Sequence, residues 1–192
     1  MPRAKEYDRD EVLEQAALVF WSKGFEAASM ADLVAATGLN TFSMYREFGS
    51  KEGLFEASLD SYYHTVLTRA VNGLRETPGL PSIKEFLFAF PPIMATRDYK
   101  GCLYVNTLTE KSVVNDRAIT RVAGFCAELT GLLEDAIKAA QKKGEIASGK
   151  NAKALANYFL MVVQGLSIYG RVVKDRKMIH KVVETALSAL EG

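Results

Sequence analysis

Residues 29–55 read SMADLVAATGLNTFSMYREFGSKEGLF, and this stretch decides the fold. Ser29 is a good helix N-cap. Asp32 stands three residues on, the spacing at which cap and acid satisfy each other's free N–H groups. Leu33, Val34 and Ala36 supply apolar contacts, and Gly38 ends the segment. Asn40 then caps a second short helix, Thr41 to about Phe48, with Met44 and Phe48 four apart on its inner side. Two short helices joined by Thr37-Gly38-Leu39 have helix-turn-helix spacing, and the second is short enough to enter a major groove. Its outward positions are Thr41, Phe42, Ser43, Tyr45, Arg46 and Glu47. They offer hydroxyls for phosphates, a guanidinium for guanine and aromatic rings for thymine methyls. A short-helix pair is also found in ordinary three-helix subdomains, so its surroundings matter.

Upstream, Asp8 and Glu11 have capping spacing, and Val12, Leu13, Ala16, Ala17 and Phe20 recur on one face before Gly24. Downstream, Ser50 starts a helix expected to reach about Arg75, with Leu54, Phe55, Leu59, Tyr62, Val66, Leu67, Ala70 and Leu74 in helical period. Further helices are expected near 82–96, 102–112, 115–143, 152–173 and 176–190. No period-2 strand and no repeat are found. The chain reads as all-α, about nine helices, with a small N-terminal three-helix domain (1–51) and a larger helical domain (52–192).

Composition sets bounds without naming a partner. The 192 residues are 48% hydrophobic and 24% charged, which supplies a core and excludes wholesale disorder. Net charge is +1, and residues 1–51 hold six basic against eight acidic side chains. DNA binding therefore has to rest on where charges lie, since no polycation is present. Two cysteines and a polar start, MPRAKEYDRDE, read as a reduced, cytoplasmic chain. The most apolar run, 154–173, contains Asn157, Gln164, Ser167 and Arg171, and fits a buried helix better than a membrane span.

The run from Gly38 to Phe55 resembles the signature of the TetR/AcrR family of one-component regulators. So do Ala17-Leu18-Val19-Phe20, Lys23-Gly24-Phe25 and Ser29-Met30-Ala31-Asp32-Leu33. The resemblance implies a homodimeric repressor, released from a pseudo-palindromic double-stranded operator by a small-molecule effector. It places Thr41 and Phe42 at base-contact positions, and Ser43, Tyr45 and Lys51 at phosphate-contact positions. Arg46 serves either role, and Arg3 and Lys5 form an arm on the backbone. Phe42 departs from a common family glycine. Glu47 replaces a neutral or basic aromatic; it repels phosphate, and is expected to accept from a cytosine amino group or to hold Arg46.

The resemblance also implies that the last two helices form a four-helix bundle with a second subunit. Apolar faces are read at Phe159, Val162, Val163 and Leu166, and at Val182, Val183 and Leu187. Glu85–Met94 is unusual because Pro91-Pro92 removes two helical donors. A break there opens a cavity lined by Phe86, Phe90 and Met94, or the three side chains are plain core. Cys102, at a helix start near Arg97 and Lys100, has the setting of a lowered thiol pKa. Cys102 is thus an electrophile- or oxidant-sensing residue, or a packed inert thiol, and Asn106 is a candidate polar contact for the effector. His64 and His180 are read as structural or solvated. No metal-site spacing, P-loop or dinucleotide motif is present, and no cofactor is expected. Two other classes stay open: an all-helical enzyme with Cys102 as nucleophile, and a helical protein-binding adaptor.

Overall fold

The computed structural model describes residues 7–191, and every regular element among them is helical. Arg3 and Lys5, the expected arm, lie outside the described residues. Three helices open the fold: α1 (Arg9–Lys23), α2 (Met30–Thr37) and α3 (Thr41–Phe48). Asp8 caps α1 by accepting from the Asp10 and Glu11 backbone. Ser29 and Asp32 form the full reciprocal capping box on α2. Asp32 also takes a 2.6 Å bond from Lys23. That bond first, then those from Ser29, hold its carboxyl far below the usual carboxylate range.

The helix expected to run from Ser50 to Arg75 is an interrupted rod. It comprises α4 (Lys51–Tyr62), a π-turn (Tyr63–Leu67), α5 (Thr68–Ala70) and α6 (Asn72–Glu76). The chain bends at Val71, whose φ −101° and ψ 2° leave helical geometry. Next come α7 (Leu80–Phe88) and α8 (Phe90–Met94), separated at Ala89. Pro91 and Pro92 thus sit in the first turn of α8, where N–H groups have no intrahelical acceptor and their loss breaks no bond. The rest is α9 (Leu103–Thr109), α10 (Asp116–Lys142), α11 (Ala152–Tyr169) and α12 (Arg176–Leu187), ending in a 3₁₀ turn, Ser188–Leu190. Counting α4–α6 and α7–α8 as one rod each recovers the nine expected units.

Two apolar cores hold these elements. In the first, Val12, Ala16 and Phe20 of α1 meet Leu33, Met44, Leu54 and Phe55. It does not stop at residue 51, because Leu103 and Tyr104 of α9 and Val122 of α10 belong to it. The second joins Ile83 and Leu87 of α7, Leu133 and Ile137 of α10, Phe159 and Val163 of α11, and Ile179 and Val183 of α12. The rigid spacing of α3 and α4 depends on Gly53. A Cβ there would lie 2.0 Å from the Phe48 carbonyl oxygen.

Candidate functional site

The second helix of the helix-turn-helix shows the expected two-sidedness. Asn40 caps α3 by accepting from the Ser43 N–H at 2.8 Å, and Met44 is buried beneath it. Phe42 is 74% exposed, and Thr41, Tyr45 and Arg46 are also exposed. The Arg46 guanidinium lies 5.8 Å from the centre of the Phe42 ring, so cation and ring present one joint surface. Ser43 is half-buried at the edge.

Two charges have partners elsewhere in the reader. Glu47 pairs with Arg9 of α1 at 3.4 Å. It sits on the flank of α3 toward α1, where the Arg9 guanidinium also covers the Phe48 ring. The Lys51 ammonium, at the start of α4, is half-buried. It lies 4.7 Å from the Phe25 ring centre and donates to the Glu26 carbonyl at 3.2 Å.

Beneath the reader lies a cavity of about 280 Å³, partly open to solvent where Val66 and Ile93 are exposed. Its wall is almost wholly apolar and draws on most of the fold: Trp21 of α1, Tyr62 of α4, Phe86 of α7, Phe90 of α8, Tyr104 of α9, Phe125 of α10 and Leu160 of α11. Phe86, Phe90 and Cys102 thus come together on one wall. Met94 and Asn106 do not line it. Met94 is fully buried in the second core, its Cε against Gly170, which caps the end of α11. The Asn106 amide turns away to donate to the Lys100 carbonyl at 2.9 Å. The lowered thiol expected at Cys102 is also corrected: burial pushes it above the ordinary thiol range, and Tyr62 Oη lies 3.8 Å from the sulfur. Desolvation outweighs the helix start because the thiolate would lack water. Cys126 lines the same cavity, and burial raises its thiol too. Neither His64 nor His180 is on the wall, so no Cys–His pair is assembled.

Residues 12–58 match the model for bacterial regulatory proteins of the tetR family, and residues 79–186 match the tetracyclin repressor-like C-terminal domain. The chain belongs to the TetR family. It is 30% identical over 188 residues to the HTH-type transcriptional repressor ComR of Escherichia coli (strain K12), covering 96% of this chain and 90% of that protein. It is 23% identical over 182 residues to the repressor DhaR of Mycobacterium sp. (strain GP1), covering 95% and 91%. A solved cysteine mutant of the TetR-family regulator CifR, complexed with double-strand operator DNA, superposes with a TM-score of 0.84. It shares 27% identity and covers 97% of this chain and 99% of that one. The protein is a DNA-binding transcriptional regulator of the TetR repressor type.

Within this TetR-family chain, the reader is bonded directly to the cavity wall. The Trp21 indole N–H donates to the Gly101 carbonyl at 3.1 Å, next to Cys102, and its ring meets Tyr62 edge-on at 5.2 Å. At the far end of α9, the Glu110 carboxylate accepts from the Phe25 N–H at 2.7 Å, in the loop between α1 and α2. A short helix whose first turn lines the cavity is thus anchored at its last turn to the reader. Arg121 of α10 adds a second bridge, pairing with Asp60 at 2.7 Å and Glu56 at 3.1 Å on α4. Sequence reasoning missed Trp21, Gly101 and Glu110 as joints, because contacts 80 or more residues apart leave no local pattern.

The faces expected to dimerise are also redistributed. Phe159, Val163, Leu166, Val183 and Leu187 are buried within their own chain, against α7, α8 and α10. They form the inner side of α11 and α12, since packing the sensor core claims the most apolar face first. Val162 is half-buried and Val182 is 40% exposed. The outward apolar stripe of α11 is Tyr158, Met161, Ile168 and Tyr169, with Val172 following. Gly165 lies in the same stripe, with nothing near its would-be Cβ. Among the described residues no helix is long and apolar enough to cross a membrane.

Proposed function

We propose that two copies of this protein bind a pseudo-palindromic operator as a repressor and leave it when a small molecule enters the cavity. The observation that carries this reading is Trp21, a side chain of the reader that forms part of the cavity wall and is hydrogen-bonded to it. A molecule that favours a wider cavity favours a moved α1, and with it a moved α3. The ligand then shifts a population between a DNA-competent and a released arrangement, by its difference in affinity for the two. Couplings of this kind are worth about 1–3 kcal/mol.

Thr41, Phe42 and Arg46 read bases, with Tyr45 beside them on the backbone. Ser43 and Lys51 hold the backbone. The apolar stripe from Tyr158 to Val172, joined by Val182 of α12, meets its own copy across a two-fold axis and spaces the α3 helices about one DNA turn apart. The protein acts in the cytoplasm, where the operator is, as a regulator and not as an enzyme.

A mobility-shift assay with the intergenic DNA flanking its own gene tests the reading. The expected result is a specific complex whose log affinity falls linearly with log salt. In Arg46→Ala the affinity drops by a factor of about 5 to 150, the equivalent of losing ~1–3 kcal/mol of base contact. No specific complex with any of these segments at low salt overturns it.

A further inference from the structure

The chemistry of the cavity wall narrows what can occupy it. Among the described residues no lysine, arginine, aspartate, glutamate or histidine lines it. The charged groups nearby are engaged elsewhere: Arg121 on Asp60 and Glu56, Glu128 on Tyr63 and Arg75, and Lys174, whose ammonium lies 5.3 Å from the Tyr99 ring centre, on the Tyr99 and Gly170 carbonyls. Among its polar side chains, Gln164 and Ser167 are the two that are neither aromatic nor thiol. Gln164 and Ser167 stand one turn apart on α11, the first donating to the Cys126 sulfur at 3.5 Å and the second to the Val163 carbonyl at 2.8 Å. Tyr99 closes that side. A volume of about 280 Å³ is roughly twice that of the ~150 Å³ engineered cavity that holds benzene.

We propose that this cavity takes an uncharged, largely apolar molecule of one or two rings, carrying a single hydrogen-bonding group directed at Gln164 and Ser167. The inference rests on the effector reading above and names the class of effector. An anion has no cation to meet on this wall, and burying it unpaired is costly. A cation finds aromatic faces but no carboxylate. The titratable groups on the wall report the same environment: desolvation raises Tyr62, Tyr99 and Tyr104 as well as both thiols, so each is held in its neutral form. Flat apolar faces fit the wall, where Trp21, Tyr62, Phe86, Phe90 and Phe125 converge.

Trp21 is the single tryptophan of the chain, so its emission reports one defined position on the cavity wall. The test titrates the full-length protein, excited at the tryptophan red edge, with four shape-matched probes: tetralin, indan-2-ol, indane-2-carboxylate and protonated 2-aminoindane. Expected is a saturable change in emission with the two neutral probes, indan-2-ol binding at least tenfold more tightly than either charged analogue. In Val105→Phe, whose added ring enters the cavity, the indan-2-ol affinity falls at least tenfold. Because the four probes are compared on the unsubstituted protein, the ligand class is decided whether or not that variant folds. A charged probe that binds as tightly as indan-2-ol, or no saturable change with either neutral probe, overturns the proposal. The mobility shift is scored separately. An operator complex without neutral-probe binding sinks only this inference, whereas probe binding without any operator complex sinks only the repressor reading.

Discussion

Substituting Gly53 by alanine sets two opposing effects against each other, and the structure decides the sign. Gly53 is in the first turn of α4, its N–H capped by Ser50 Oγ at 3.1 Å. Helix propensity alone favours alanine over glycine by ~1 kcal/mol. The added Cβ, however, would stand 2.0 Å from the Phe48 carbonyl oxygen, a backbone atom that no rotamer change can move. Restoring an ordinary contact requires α3 and α4 to part by more than 1 Å. Overpacking of this kind costs about 1–3 kcal/mol, here at the upper end because the obstacle is main chain. The net expectation is a loss of about 2 kcal/mol, or roughly 4–8 °C in melting temperature for a chain this long. Because α3 carries the reading face, operator affinity falls as well. Gly124→Ala is the internal control. It lies in α10 with nothing within 4 Å of the new Cβ, so propensity acts unopposed and stabilises by ~0.5–1 kcal/mol. Urea unfolding followed by circular dichroism measures both. A Gly53→Ala protein as stable as its parent or more so, with undiminished operator binding, refutes the reasoning.

Three further outcomes are expected. Glu110→Ala removes the acceptor of the Phe25 N–H and costs about 1.5–3 kcal/mol, with Glu110→Gln losing less; a urea midpoint unchanged in the alanine variant would show that the α9 anchor is idle. Cavity thiols and tyrosines are raised in the folded state, so their contribution is complete below the unfolded thiol range and is lost as pH climbs through the folded values. The urea midpoint therefore falls between pH 8 and 10.5, less steeply in Cys102→Ser, and a flat or rising midpoint contradicts that sign. Met161→Glu, which places a charge on a residue 56% exposed in the single chain, gives a monomer in sedimentation velocity with little change in stability per chain; a persistent dimer moves the interface elsewhere.

The helix-turn-helix was legible because its signals are local. Ser29 and Asp32 are three residues apart, Asn40 caps the helix that follows it, and Met44 marks the buried side of that helix by period alone. The all-helical class and the nine rods follow from the same short-range rules. The cavity was half legible. Pro91-Pro92 announced a break, and Phe86 and Phe90 line the space beside it, whereas Met94 turned into the core.

What remained was decided by distance in the chain. A helix periodicity shows that Phe159, Val163 and Leu166 share an apolar face, but not whether that face meets its own chain or another. Packing against α10 took it inward and left Met161 and Ile168 outside. A cysteine at a helix start leaves a reactive thiolate and a packed thiol open as readings, and burial beside Tyr62, which raises the thiol pKa, favours the packed one. Sequence by itself determined which side of α3 is buried and which is exposed, since caps, turns and helix faces act over a few residues. Only the tertiary structure decided how that surface is tied to the cavity, through Trp21 on Gly101 and Glu110 on Phe25, because those bonds join residues that the chain keeps 80 and 85 positions apart.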